Sequence, residues 1–252
     1  MSSDFLLRLL VPAFLLASCS VKEDRTDCPC LLSLDLTGIP VLPVMLEVTG
    51  EDGYAYTQVV HGDTVIVLPV PKGKVTVSAV GGALSEGDGS IRIPSGEEAP
   101  PLYLFHRVVS TEAEQYSLPV HLRKQFCSLE LTFSGPPGFG PPFEVEVDGR
   151  VNGWESDGSP SEGEFSRRLL PGSDGNAVLR LPRQADDSLV MHIVFLDQVV
   201  RTFALGSYIE SAGYDWEAQD LEDLTLQVDI SVTGVALTSD FWGRSEEMEI
   251  WI

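Results

Sequence analysis

The sequence predicts an all-β protein built from two antiparallel β-sandwich domains in tandem, and three observations support this prediction. Apolar and polar residues alternate over many short runs, a period of two that is typical of half-buried strands. Gly, Pro, Asn and Asp punctuate these runs, as turns do in sandwich folds. One strand pattern also occurs twice, about 100 residues apart, which is the usual length of one sandwich domain.

The repeated pattern is Cys-x-Leu-x-Leu-x-(Leu/Phe), which begins at Cys30 and again at Cys127. In both copies the cysteine leads the set of side chains that faces the core, so we expect both thiols to be buried and reduced. We interpret the two copies as the first strands of two similar domains, residues 28–119 and 120–252. The alternative is coincidence, because alternating Leu strands are common in β proteins.

The remaining strands follow from the same alternation. In the first half we predict strands at 32–36, 44–50, 56–60, 64–70, 74–80 and 102–109. In the second half we predict them at 127–135, 143–149, 164–170, 177–182, 188–195, 199–205, 224–232, 235–238 and 247–252. One short helix is predicted around residues 206–213, where Gly213 is a stop signal.

The N-terminus is typical of an export signal. Arg8 precedes an apolar core, residues 9–16, that is too short to span a bilayer. Leu-Ala-Ser-Cys at 16–19 resembles the lipobox of bacterial lipoproteins, which implies cleavage between Ser18 and Cys19 and lipid attachment to Cys19. The alternatives are an ordinary signal peptide or a short buried helix. We assign residues 1–18 to the signal peptide and 19–27 to an acidic tether.

The tether carries Lys22 followed by Glu23 and Asp24, which resembles the surface-export signal of Bacteroidetes lipoproteins. That likeness implies display on the outside of the outer membrane, whereas a plain solvated tether would fit the periplasmic face equally well. The formal net charge of −22 excludes a basic footprint for phosphates, so we expect no nucleic-acid partner.

No residues form a recognisable catalytic, cofactor or metal motif. The sequence has no Gly-x-Ser-x-Gly elbow, no His-Glu-x-x-His and no phosphate-binding glycine loop, so we predict neither enzyme activity nor a cofactor. Residues 148–164 are rich in oxygen ligands, and Asp148, Asn152, Asp157 and Glu162 could coordinate calcium. They lack an EF-hand register, and we predict a mobile surface loop instead.

The sequence does not decide whether the cysteines other than Cys19 form a disulfide. Cys28, Cys30 and Cys127 allow at most one internal disulfide, between Cys127 and either Cys28 or Cys30. If none forms, Cys30 and Cys127 are reduced core residues. No histidine stands at zinc-site spacing from the Cys-Pro-Cys, so we predict no metal site.

The lipobox, the acidic tether and KEDRTDCPCLLSLDL, residues 22–36, together resemble the FimB-type fimbrial anchor lipoproteins of Bacteroidales. PPLYLFHRVV, SDGNAVLRLP and YIESAGYDWEAQDLEDLTLQVDI continue this likeness more weakly. The resemblance implies two transthyretin-like Greek-key sandwiches and a role in tethering a fimbria to the outer membrane. It also implies fimbrial structural subunits as partners, and a host or bacterial surface ligand reached through the fimbria. Cys-Pro-Cys stands where many relatives have a single cysteine, so no family disulfide carries over.

Fimbrial subunits of this class polymerise by strand complementation, which makes the C-terminal run EEMEIWI a candidate donor strand. Its apolar residues alternate as Met248, Ile250 and Ile252. The strand either enters a neighbouring subunit or closes the protein's own second sheet.

The rival function is a surface glycan-binding lipoprotein beside a polysaccharide uptake system. It requires aromatic side chains exposed together on one face, and Trp154 is the natural member of such a set. Core packing is the more common use of tryptophan in a sandwich.

Overall fold

The structure is a computed structural model that describes residues 28–51, 53–82, 90–135, 143–230, 235–241 and 244–250. The predicted signal peptide and tether, with Ser18 and Cys19, lie outside the described residues. Among the described residues, no helix is long and apolar enough to cross a membrane.

Strands dominate the described chain, and the predicted all-β fold is confirmed. The strands of the first half are β1 Cys30–Asp35, β2 Val44–Gly50, β3 Ala55–Val60, β4 Val65–Val70, β5 Lys74–Gly81, β6 Ile91–Arg92, β7 Tyr103–Ser110, β8 Gln115–Pro119 and β9 Arg123–Lys124. Those of the second half are β10 Phe126–Ser134, β11 Glu144–Trp154, β12 Pro160–Leu169, β13 Asn176–Pro182, β14 Val190–Phe195, β15 Gln198–Phe203, β16 Leu224–Asp229, β17 Val235–Phe241 and β18 Arg244–Ile250.

The predicted helix is present as α1, Leu205–Ser211. It ends before Gly213, whose φ of +87° is a left-handed conformation that glycine adopts at little cost. Leu205, Tyr208 and Ile209 bury one face of this helix against the second core.

The two halves repeat one strand order. In the first half, β4-β1-β8 form one sheet and β3-β2-β5-β7 lie in the other; in the second, β13-β10-β16 and β12-β11-β14-β15 form the corresponding sheets. Each copy contains one parallel pair, β1 with β8 and β10 with β16, within otherwise antiparallel sheets. Cys30 and Cys127 therefore occupy equivalent positions in equivalent strands. Division into two independent domains at residue 120 stays a prediction.

Each half has its own apolar core, but the cores do not follow the predicted boundary. The first core contains Cys30 and the inward residues of β1, β2 and β5, together with Val120 and Leu122. The second core surrounds Cys127 and includes Ile91, Ile93, Ala99 and Leu102 from the first half. We call residues 90–102 the strap, because this segment leaves the first half after β5 and packs against the second.

Backbone and side-chain hydrogen bonds fix the strap in place. Its strand β6 pairs with the end of β11, with Ile91 opposite Trp154. The N–H of Ile93 donates to the Asn152 carbonyl at 2.8 Å, and the N–H of Ala99 donates to the Arg180 carbonyl at 3.0 Å. A Cβ on Gly153 would lie 2.2 Å from the Ile91 carbonyl oxygen, so only glycine admits this approach.

The predicted mobile loop at 148–164 is wrong. Those residues form the long β11–β12 hairpin, and only 155–159 turn between the strands. The sequence here is polar and rich in glycine, so it does not show the alternation that is typical of strands. Register shifts on either side of Val151 allow it to pair as strands nevertheless. Strand β8 was also not predicted, because QYSLP is polar and ends in proline.

Candidate interaction surfaces

The small sheet of the first half has two open edges, β4 and β8, within the described residues. Two hydrogen bonds show which backbone groups of β8 point towards β1: Leu31 N–H donates to Glu114 O, and Val120 N–H donates to Asp35 O. The backbone N–H and C=O groups of the even-numbered residues of β8 therefore point towards β1, and those of the odd-numbered residues point away from it. Gln115 and Ser117 present both N–H and C=O to the open side, whereas Pro119 presents only its carbonyl.

In the second half a further hairpin covers the edge that corresponds to β8. Strand β17 pairs antiparallel with β16, and β18 pairs with β17, so the sheet continues as β13-β10-β16-β17-β18. The candidate donor residues lie on β18, where Met248 is opposite Leu237 and Ile250 is opposite Val235. Ile252 lies outside the described residues. In the isolated chain, the C-terminal strand thus pairs with its own second sheet.

The three cysteines within the described residues are all free thiols. Cys28 is exposed, whereas Cys30 and Cys127 are fully buried in separate cores. Burial raises the pKa of Cys127 to about 12, and burial also raises the pKa of Cys30. Both buried thiols are therefore protonated core residues at neutral pH.

The tryptophans that the structure describes do not form an exposed platform. Trp154 is fully buried at the end of β11. Trp216 is also buried and packs edge-to-face on Tyr214, with ring centroids 4.7 Å apart. Trp242 and Trp251 lie outside the residues whose side chains are described. Trp154, the residue that the glycan-binding alternative would use to contact a sugar, is thus a core residue.

The histidines and acidic clusters do not assemble a reactive or metal site in the described part of the chain. His192 lies on β14 between Thr202 and Asp148, with Nδ1 2.8 Å from Thr202 Oγ1. Asp148 Oδ2 is 3.3 Å from His192 Nε2, so this carboxylate contacts a histidine. No three His, Cys, Asp or Glu side chains of the described residues are placed to hold a metal ion.

A cavity of about 800 Å³ opens beside the loop that follows α1. Its charged lining includes Arg123, Arg183, Glu210, Asp215 and Glu217. Arg183 is buried and uses its guanidinium within the protein: Nε donates to Gln125 Oε1 at 3.1 Å, and the two Nη groups donate to main-chain carbonyls of Lys124, Trp216, Ala218 and Gln219. Burial lowers the pKa of Arg183 to about 10, which leaves it cationic at neutral pH.

This use of Arg183 has no signal in the sequence, because the five groups that accept its hydrogen bonds come from two segments far apart in the chain. Since its donors are engaged by the protein itself, Arg183 fastens the loop at 216–219 to the chain at 124–125. We assign it a structural role in the second half.

Comparisons with known proteins show what this fold is similar to. No protein-family model matches the sequence, and no curated protein has a significantly similar sequence. Among solved structures, the fimbrial anchor protein Mfa2 of Porphyromonas gingivalis matches with a TM-score of 0.62 at 13% identity, covering 87% of this chain and 99% of its own. A candidate adhesin of Bacteroides ovatus matches with a TM-score of 0.65 at 14% identity, covering 87% and 95%.

A candidate polysaccharide-binding protein of Bacteroides thetaiotaomicron matches as closely, with a TM-score of 0.64 at 12% identity over 87% of this chain and 98% of its own. At such identities the likenesses establish a shared fold. They agree with the all-β sandwich fold that the resemblance to fimbrial anchor lipoproteins implied, while its division into two transthyretin-like domains stays a prediction.

Proposed function

We propose that this protein is an outer-membrane lipoprotein that serves as anchor or accessory subunit of a fimbria. In this proposal the lipid on Cys19 holds it at the cell surface, and fimbrial structural subunits attach to it by strand complementation. It acts by binding and has no catalytic activity. The host or bacterial surface ligand is contacted through the fimbria.

One observation supports the assembly mechanism: a sheet edge that is covered in the second half is open at the equivalent place in the first half. The edge of β16 is covered by β17 and β18, whereas the equivalent edge of β8 has no neighbouring strand among the described residues. An open edge is a hazard unless a partner covers it. A strand from a neighbouring subunit could occupy beside β8 the position that β17 occupies beside β16.

The structural comparisons support this proposal at the level of the fold. The solved relatives include a protein named as a fimbrial anchor and one described as a candidate adhesin, both from Bacteroidales. A surface or fimbrial role agrees with both, and neither is named as an enzyme. The lipobox at Cys19 and the acidic tether support attachment to the outer membrane.

A proline substitution at the β8 edge tests the mechanism. Ser117→Pro removes an outward N–H and leaves the hydrogen bonds to β1 intact, because Ser117 faces away from β1. We expect fimbrial subunits recovered with the full-length protein to fall at least tenfold. Ser117→Ala keeps the N–H and is the matched control, so recovery should be unchanged. Equal recovery with both variants would exclude β8 as the acceptor edge.

The C-terminal strand requires a separate test, because self-pairing and donation predict different failures. Removal of residues 246–252 should leave a folded protein that lacks its fimbria if the strand is donated. If the strand closes the protein's own sheet, the truncated protein should lose thermal stability. Thermal unfolding of the purified variant, measured beside fimbrial recovery, separates the two results.

The glycan-binding alternative draws on the likeness to a candidate polysaccharide-binding protein. It is less well supported, because Trp154 and Trp216 are buried. Retention of the purified protein on immobilised polysaccharide, together with polysaccharide-uptake partners in place of fimbrial subunits, would favour it over the fimbrial proposal.

A further inference from the structure

The β14–β15 hairpin ends in an unusually apolar exposed tip. Leu196 and Asp197 form its two-residue turn, and Leu196 is 81% exposed. Phe195, Val199 and Val200 around this turn are each about half exposed. We call residues 195–200 the knob. Leu170, directly after the last residue of β12, adds a further exposed apolar side chain at the same end of the sheet.

The backbone of the knob is held in a conformation that leucine disfavours. Leu196 has φ +49° and Asp197 has φ +59°, both left-handed. Two-residue hairpin turns of this kind favour Asn, Asp or Gly, because a larger side chain crowds the backbone there. The side chain of Leu196 is largely in solvent, so core packing does not explain it. Such an outlier at an exposed site points to a function for the side chain.

The knob is braced from the outer face of its sheet. Arg168 on β12 forms ion pairs with Glu144 and Glu146 on β11, each at 3.2 Å, and its Nη1 lies 3.6 Å from Asp197 Oδ1. This arginine therefore connects β12, β11 and the turn. Val194, directly before the knob, is fully buried. The knob is thus presented on a supported hairpin.

The knob suits a contact made by its side chains, and its backbone is poorly suited to pairing with an added strand. Ile193 pairs with Arg201 and Val194 pairs with Val199, so Val200 is an extra residue that bulges from the edge strand β15. Bulges on edge strands interrupt the hydrogen-bonding row that an incoming strand would use. Contact at this place must therefore come from the apolar side chains.

The charges around the knob define what it fits. Three carboxylates, Glu144, Glu146 and Asp197, surround Arg168, and Arg201 follows the knob on β15, so the collar beside the apolar tip keeps a net negative charge. A complementary surface has an apolar pocket with a basic rim. An anionic bilayer repels this collar. A second copy of the chain brings the same collar and the same net charge of −22.

We propose that the knob is a docking element that inserts Leu196 and Phe195 into a basic-rimmed apolar pocket on the fimbrial structural subunit. This inference rests on the proposed function and adds a contact distinct from the β8 edge. The knob fixes the orientation of the neighbouring subunit, while strand complementation holds it.

Leu196→Asn tests the proposal with a variant that should fold better than the native protein. Asparagine suits the left-handed turn, so we expect the melting temperature to rise by a few degrees. We expect recovery of fimbrial subunits with the full-length protein to fall at least tenfold. Val178→Asn is the matched control, since Val178 is exposed on β13 of the same half; recovery with that variant should equal that of the native protein.

Photo-crosslinking identifies the contact directly. A benzoylphenylalanine at position 196, irradiated in intact cells, should link to the fimbrial structural subunit, whereas the same group at position 178 should not. A link from position 196 to a second copy, to lipid or to an unrelated protein would overturn the proposal. Undiminished fimbrial recovery with Leu196→Asn would overturn it as well, and the proposed function would stand. If the native protein recovers no fimbrial subunit, the proposed function fails and the inference fails with it.

Discussion

The carboxylate of Glu98, in the strap, accepts two hydrogen bonds from Arg180 on β13. The Arg180 backbone N–H donates to one oxygen at 3.0 Å and its Nη2 donates to the other at 2.5 Å. The Arg180 Nε also donates to the Ala99 carbonyl at 2.8 Å. A segment of the first half thus covers part of the β13 edge, whereas the equivalent strand β4 has no such cover among the described residues.

Glu98→Ala should lower the free energy of unfolding by about 1 kcal/mol, because an N–H on the β13 edge loses its acceptor together with an ion pair. Since both side chains are about one-third exposed, solvent screening keeps the ion-pair part small. Glu97→Ala is the control, since Glu97 is exposed and its side chain has no comparable role. Denaturant unfolding of both variants checks this, and equal destabilisation would contradict the role of Glu98.

Gly153→Ala should detach β6 from β11, because the new Cβ would overlap the Ile91 carbonyl oxygen. Hydrogen exchange should accelerate at least tenfold at Ile93, whose N–H bonds to Asn152 on β11. Gly62→Ala introduces the same methyl group where nothing lies within 4 Å, and should leave the strap unchanged. Unaltered exchange at Ile93 in the Gly153 variant would show that the strap does not depend on this contact.

The thiols should react in a fixed order. If Cys19 carries lipid, as we propose, maleimide at pH 8 should label only Cys28 in the folded protein. Cys127 is buried, and with a pKa of about 12 it is a thiolate in about one molecule in ten thousand at that pH. Cys30 and Cys127 should both be labelled after unfolding without reductant. Labelling of fewer than three thiols at that stage would reveal a disulfide.

The Asp157 carboxyl should titrate below the usual range for aspartate. The Ser159 hydroxyl and backbone N–H both donate to it, which lowers its pKa. Its stabilising contribution is therefore fully present above the unfolded pKa of about 4 and is lost as the pH falls through the lower folded value. Ser159→Ala should raise the Asp157 pKa in a carboxyl NMR titration. Asp174, bonded to Asn176, should titrate as before.

The strand pattern and the cysteine repeat were readable from the sequence because each strand buries one face. Alternation at Leu32, Leu34 and Leu36 matches their complete burial, and the same holds for Leu129 and Leu131. The strap was not predictable, because Ile91 and Ile93 alternate over only three residues and pack on a core formed by residues far along the chain. The sequence holds one signal for the knob: Leu196-Asp197 stands between two apolar runs, at the place of a two-residue turn.

We propose that this protein is a lipoprotein that holds a fimbria. The measurement that tests it most directly is affinity purification of the full-length protein from outer membranes, with mass spectrometry of the bound proteins and of its own N-terminus. We predict a ladder of β-sandwich fimbrial subunits and an acylated N-terminal Cys19. Polysaccharide-uptake partners, or an unacylated protein that binds no fimbrial subunit, would contradict the account.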